Sequence, residues 1–292
     1  MNLPLVTIIT PTYNCEKYIR QTIESVLDNG YKNIEYILID DDSTDKTTDI
    51  IGRYKLPMLT NESNKGEQST VNKGLKWVSG KYFMIVNADD PLLTGAIAAL
   101  VHFMEEYSDE LCAYPDWQSI NEDGSIKRHI KSRDYDFIYM VKHHTCLPSV
   151  GCMFRSNIIK DIGYRDTSFQ WLGDFDYWLR IGLVGTMLHV PYPLATWRNR
   201  AGQASKDKSD RRAQEHIRVI QKLYNMPIIP RAIVKVKREA ICWSYLVAIA
   251  VTDSRLKMIY YALKALQSHP AIVFKLEFWD TVRVRAIHIL RR

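Results

Sequence analysis

Two apolar runs of the chain end in carboxylates. Tyr36-Ile37-Leu38-Ile39 leads into Asp40, Asp41 and Asp42, with Ser43, Thr44 and Asp45 behind them, and Tyr82-Phe83-Met84-Ile85-Val86 leads into Asn87, Ala88, Asp89 and Asp90. Neighbouring carboxylates repel and raise one another's pKa unless a cation or hydrogen-bond donors compensate. The first cluster alone reads equally well as a strand-to-helix turn, because Asp, Ser and Thr are good N-caps and negative charge is favoured at a helix start. A second cluster of the same kind makes coincidence a poorer account. Three chemistries place carboxylates at strand ends of a parallel sheet: metal-assisted phosphoryl transfer, metal-assisted glycosyl or nucleotidyl transfer, and aspartate phosphorylation of the response-regulator kind. A hard divalent cation with oxygen ligands and substrate phosphates would relieve the repulsion in the second cluster. The chain has no G-x-x-x-x-G-K-[ST] and no G-x-G-x-x-G, so hydride transfer with a dinucleotide is a poor candidate.

These residues need elements to hold them at one edge. Residues 5–10, LVTIIT, are a β-branched run closed by Pro11, which predicts a buried first strand. A helical pattern follows over 16–27 and ends at Gly30; a second strand covers 34–39, a short helix about 45–54, a possible third strand 57–60, a helix 67–78 up to Gly80, and a strand 82–86. This alternation predicts an α/β fold, a mainly parallel sheet with helices on both faces. Ligands bind such sheets at the carboxyl ends of the strands, which is where both acidic clusters fall. Beyond a helix at 95–107 the pattern is less regular, with a hairpin turn at Asn121-Glu122-Asp123-Gly124-Ser125, a mixed stretch 147–162 and a helix over 173–185. From about residue 207 the reading is helical, at 210–224, 231–251 and 254–268.

The 292 residues suffice for one large α/β domain and an appendage, and 46% hydrophobic with 25% charged residues describes a globular chain. The net charge of +6 hides an asymmetry: Lys206 onward carries 18 Lys+Arg against 7 Asp+Glu, and the residues before it 21 against 26. Five scattered cysteines without a C-x-x-C pair argue against a disulfide framework or zinc site and for a reducing, cytoplasmic compartment. The first twenty residues do not read as a signal peptide, and the longest apolar run, 240–251, is too short to span a bilayer.

The stretch VTIITPTYNCEKYIRQTIESVLDNGYKNIEYILIDDDSTDKT resembles the opening of the family two glycosyltransferases. NKGEQSTVNKGLKWVSGKYFMIVNADDPLL is similar to the family's next block, and GCMFRSNIIKDIGYRD with GDFDYWLRI to its acceptor half. The three blocks stand in the family's order over residues 4–205. The resemblance implies a GT-A fold (a Rossmann-like nucleotide-binding half with an acceptor half) and inverting transfer of a sugar from a nucleotide-diphosphate donor to a hydroxyl of a glycan or glycolipid in surface-polysaccharide synthesis. It puts Pro11 and Tyr13 against the nucleoside, and Asp40 and Asp41 on the base. Asn64, Asn72, Asn87, Asp89 and Asp90 would be further donor residues, with Asp89 and Asp90 holding a Mg or Mn ion that bridges the diphosphate. Asp174 would be the general base, and Asp176 and Trp178 acceptor contacts. The chain departs from the family at two places: Asn87 stands where many relatives have Asp, and Arg200 where a His is usual.

The domain organisation expected is a GT-A domain over 1–205, divided into a donor half 1–93 and an acceptor half 94–205, and a basic helical extension over 206–292. Plotted as a helix, 271–292 has a broad apolar face edged by arginines, the form of a helix that lies on an anionic membrane, although surface helices that pack on a domain share it. Nucleic acid is not expected as a partner, since no recognition motif accompanies the charge. The rival from another class is a non-catalytic GT-A-fold scaffold subunit; retention of Asp41, Asp89 and Asp174 favours the enzyme. A nucleotidyltransferase is less favoured, because TPTYNCEKY is not the Gly-rich basic signature such enzymes carry after their first strand. His143 and His144 are adjacent and point apart, so a shared metal is not expected of them.

Overall fold

The computed structural model describes residues 3–274 and residue 279. In chain order the elements are β1 (Val6–Thr12), α1 (Ile19–Leu27), β2 (Ile34–Asp40), α2 (Thr47–Gly52), β3 (Met58–Thr60), α3 (Glu67–Leu75), β4 (Tyr82–Ile85), α4 (Ala96–Glu106), β5 (Cys112–Ile120), β6 (Ile126–Ile130), α5 (Phe137–Lys142), β7 (Met153–Arg155), α6 (Ile158–Ile162), α7 (Gly173–Val184), β8 (Met187–Arg198), α8 (Asp210–Tyr224), α9 (Arg231–Lys235), α10 (Lys237–Val251) and α11 (Arg255–Ser268). The chain divides into two compact units. The first comprises 1–135, 147–168 and 184–201, and the second 136–146, 169–183 and 202–292.

The first unit holds one sheet in the order β3-β2-β1-β4-β7-β5-β6, with β8 paired to β5. The strands β1 to β4 run parallel, as the βα alternation requires, and β7 enters antiparallel between β4 and β5. Alternate residues of β1 serve the two faces. Val6 and Ile8 join Ile19, Ile23 and Val26 of α1 and Ile97 and Leu100 of α4 in one buried cluster. On the opposite face α3 lies so close that a Cβ on Gly74 would meet Ile9 Cγ2 at 2.6 Å and Ile39 Cδ1 at 2.9 Å. Residue 74 must be glycine for α3 to seat there. The parallel register brings Thr12 level with Asp40, so the chain turns out of β1 and β2 at the same edge.

The second unit is helical. Ala213 and Ile217 of α8, Leu246 and Ile249 of α10 and Met258, Tyr261 and Ala265 of α11 form its core, and the Tyr261 hydroxyl donates to Asp210 Oδ1 at 2.7 Å. The single helix expected over 231–251 is two: Val236, in the β-branched and basic run Ile233-Val234-Lys235-Val236-Lys237, leaves helical geometry at φ −97°, ψ 10° and separates α9 from α10. The amphipathic helix expected over 271–292 lies almost wholly outside the described residues. Among the described residues no helix is long and apolar enough to cross a membrane.

Candidate active site

At the carboxyl end of β2 both leading aspartates are buried and fully engaged. Asp40 accepts from the Ser43 amide and hydroxyl and from the Thr12 hydroxyl, which closes the turn after the strand. Asp41 accepts from the backbone amides of Lys65 (2.8 Å) and Gly66 (2.9 Å) and from the Asn61 side-chain amide (2.7 Å). Gly66 has φ +83°, a conformation that favours glycine, and it immediately precedes α3. Asp41 therefore fixes the loop that enters α3. Asn64 accepts from the Gly66 amide within the same loop. Beside it Pro11 is buried at the end of β1, while the Tyr13 ring is 46% exposed and presents a face at this edge. Asn14, which the sequence reading passed over, takes φ +48° and ties the two turns together by accepting from the Thr44 amide and donating its own amide to Ser43 Oγ. Asn72 lies elsewhere in function: its amide group both donates to and accepts from the backbone of Arg165, whose guanidinium reaches Gln68 and Glu67 at the start of α3.

The carboxyl end of β4 is compensated differently. Asp90 is buried and accepts from the Arg198 amide (2.8 Å) and the Asn87 side chain (3.0 Å). Burial first, and the Asp89 charge second, push its carboxyl up to about 7. Asp89 accepts from Arg200 Nε at 2.5 Å, with 13% of its own side chain and 27% of the arginine's exposed. Burial disfavours the Arg200 charge, but the bond to Asp89 and its negative charge outweigh that and raise its pKa. Arg198 is almost wholly buried and donates to the carbonyls of Asp89, Asn121 and Glu122 and to Gln21 Oε1. Both guanidiniums lie over the Tyr18 ring, at 5.0 and 5.6 Å from its centroid.

This set does not fit the divalent ion expected on Asp89 and Asp90. Asp90 faces inward with both oxygens committed to protein donors, and Asp89 already bears a cation at hydrogen-bond distance. Among the described residues no three His, Cys, Asp or Glu side chains gather as a metal site. In the sequence Arg200 stood out only as the residue where the family usually has a His, and Arg198 not at all.

In the second unit Asp174 is exposed in the first turn of α7 and accepts from the Phe175 amide. Its charge also acts on Arg212, a residue whose pKa burial lowers and whose nearby carboxylates raise it in part. The acceptor contacts expected of Asp176 and Trp178 do not suit their positions, since both are buried. Asp176 is held by Arg180 at 2.9 Å and Lys222 at 2.6 Å, an internal ion cluster that leaves no surface for a sugar. The turn before α7 is organised by Glu215 of α8, a buried carboxylate that accepts from three successive amides, those of Gln170 (2.7 Å), Trp171 (2.8 Å) and Leu172 (3.1 Å). Nothing in the sequence around Glu215 signals this. His144 does not share a ligand with His143; it meets His216 across 2.8 Å, and burial holds both rings neutral, His144 at about 3.

A mixed sheet whose parallel strands end in acidic turns at one edge, followed by helices, is the GT-A class of nucleotide-sugar-binding fold. The chain belongs to glycosyl transferase family 2, whose model matches residues 7–163. It is 34% identical over 186 residues to the UDP-Glc:alpha-D-GlcNAc-diphosphoundecaprenol beta-1,3-glucosyltransferase WfaP of Escherichia coli, an alignment that covers 61% of this chain and 70% of WfaP. The chain spans about two thirds of the length of the relatives it matches. Its fold is similar to that of S. aureus TarS 1-349 solved with UDP-GlcNAc (TM-score 0.67, 16% identity, 91% of this chain and 90% of that one). It is also similar to the mannosyltransferase PcManGT of Pyrobaculum calidifontis, solved with GDP-Man and Mn2+ (TM-score 0.66, 17% identity, 99% and 81%).

Proposed function

We propose that the protein is an inverting glycosyltransferase that moves a sugar from a nucleotide-diphosphate donor to a hydroxyl of a glycan or glycolipid in surface-polysaccharide synthesis. The observation that carries this reading is the pair of acidic turns at the carboxyl ends of β2 and β4, built in the family's order and with an arginine set against the second. In this mechanism Tyr13 packs against the nucleoside, and Asp41 shapes the base pocket by holding the Lys65-Gly66 loop. Asp89 and Arg200 serve the diphosphate. Asp174 takes the proton of the acceptor hydroxyl as its oxygen attacks the anomeric carbon, and one displacement inverts that carbon without an enzyme nucleophile. No step is routed through a divalent ion, which Asp90 is not placed to hold. Asp176, neutralised by Arg180 and Lys222, is not a candidate base.

A lipid-linked acceptor suits the surface of α11. Leu256, Ile259, Tyr260 and Leu263 stand at i, i+3, i+4 and i+7 and are 81%, 61%, 48% and 61% exposed, while Met258, Tyr261 and Ala265 on the other face fill the core. Lys257 and Lys264 flank the exposed stripe, and the segment from residue 206 carries a surplus of eleven positive charges. An apolar helix face edged by lysines is the form that binds an anionic membrane surface.

The test is transfer from a panel of nucleotide sugars to a lipid-linked saccharide. A donor present at about 100 times its Kd should also stabilise the fold by about 2.7 kcal/mol. Asp174→Asn should lower kcat by about 10²–10⁴-fold with donor Kd nearly unchanged, because the amide oxygen still accepts from the Phe175 amide while the basic oxygen is lost. A stable, fully active variant removes Asp174 from the mechanism.

A further inference from the structure

The residue that meets Asp89 is a cation held by its neighbours. Arg200 Nε is 2.5 Å from Asp89 Oδ2, its Nη1 donates to the Ala201 carbonyl at 3.5 Å, the guanidinium lies 5.6 Å from the centre of the Tyr18 ring, and Arg198 Nε donates to the carbonyl of the same aspartate at 3.0 Å. Its side chain nevertheless keeps 27% of its surface exposed, at the edge where β4 ends. The two residues Asp89 and Asp90 are thus matched by two guanidiniums, of which Arg198 is turned wholly into protein carbonyls and Gln21. A divalent ion seated on Asp89 would have to displace Arg200 and then stand beside it, like charge against like charge. A guanidinium already in place does the same electrostatic task for a phosphate: it is planar, permanently charged and able to offer two parallel N–H bonds to phosphate oxygens.

We propose that Arg200 is the cation of the donor site, binding the diphosphate of the donor through its terminal N–H groups while Asp89 holds Nε and fixes the plane, so that the nucleoside diphosphate binds without a divalent ion. This rests on the donor-site reading above. In the transfer step the bond from the anomeric carbon to the β-phosphate oxygen breaks and its electron pair stays on that oxygen, where the Arg200 N–H groups meet the new negative charge. The acceptor oxygen forms the new bond to carbon, and its proton passes to Asp174. Charge is balanced with no co-reactant, and Arg200 stays protonated throughout.

The experiment is calorimetric titration of UDP, GDP, dTDP, CDP and ADP into the full chain, once in EDTA and once in millimolar Mn2+, followed by Arg200→Ala and Arg200→His. For whichever nucleotide binds, the wild-type Kd in EDTA should lie within about fivefold of that in Mn2+. Arg200→Ala should weaken binding in EDTA by more than about fivefold, and Arg200→His should bind well only when Mn2+ is added, since imidazole can ligate a metal and carries no fixed charge. Unfolding temperatures of the variants show whether each is folded, and the wild-type comparison needs no variant at all. Wild-type binding that requires Mn2+, or Arg200→Ala binding as tightly as wild type in EDTA, overturns the assignment of Arg200 and leaves the donor site standing. No nucleoside diphosphate bound by the wild type in either buffer overturns the donor-site reading itself.

Discussion

Asp41 and Glu215 use one device in two different units. Each is a buried carboxylate that collects successive backbone amides from the turn ahead of a helix: Lys65 and Gly66 before α3 for Asp41, and Gln170, Trp171 and Leu172 before α7 for Glu215. They differ in where the carboxylate comes from. Asp41 stands at the end of a strand, at the edge where ligands bind α/β sheets, among the residues proposed for the donor. Glu215 projects from the middle of α8, a helix of the second unit, away from any strand end. A carboxylate that holds a loop can therefore double as part of a binding site or act only through the residue the loop presents, and the supporting element decides which.

That difference is open to measurement. The largest effect should come from Glu215→Ala, which leaves three amides without their acceptor; at about 1–3 kcal/mol for a buried unpaired group, it should lower stability clearly and cut kcat through a loosened Asp174. Donor affinity should hold, and Glu215→Gln should recover part of kcat because one oxygen still accepts. If Glu215→Ala weakens donor binding as much as it lowers kcat, the two clamps are not distinct. Next comes Asp41→Ala, expected to cost about 1–3 kcal/mol of stability and to weaken nucleotide binding more than it slows the chemical step. A titration that finds unchanged affinity would make Asp41 a clamp and nothing more, as Glu215 is. The smallest effect is at the surface of the second unit. Leu256, Ile259 and Leu263 changed together to Ser should reduce binding to anionic vesicles at low salt and leave transfer to a soluble acceptor intact. Equal sedimentation with vesicles would confine the second unit's role to holding α7.

The parallel half of the sheet was legible because it is made of local rules: β-branched runs, a glycine or proline at each stop, and carboxylates following the strands. The order β1 to β4 and the helices between them appear within two or three residues of expectation. The antiparallel insertion of β7 between β4 and β5 was not legible, since a three-residue strand has no period to read and its partners lie 70 and 40 positions away. At the site, sequence reasoning found the carboxylates and marked Arg200 as a departure from the family, but it did not pair that arginine with Asp89. Acidic residues announce themselves in clusters beside a strand, whereas Arg198 and Glu215 arrive from distant segments that carry no such cluster, and the partner of Arg200 lies 111 positions upstream. Asp176 and Trp178 erred the other way. Their types suit a sugar, but α7 buries almost every residue of its first two turns, and a helix that is apolar nearly all round turns even a carboxylate inward to its ion partners.

The buried guanidinium of Arg198 also bears on the order in which the molecule assembles. It joins Gln21, 177 positions upstream, to the carbonyls of Asp89, Asn121 and Glu122, yet it arrives in the last strand, after the chain has already spent residues 169–183 on the second unit. Strands β1, β2 and β4 are within reach of one another as soon as they are made, but the Arg198 bond to the Asp89 carbonyl of the second acidic turn forms only when residue 198 closes a long loop. Loop closure on that scale is slow compared with local pairing. The Arg198 contacts at the second acidic turn are thus completed late, so that a partly made chain holds a sheet before it holds the edge proposed to bind the donor.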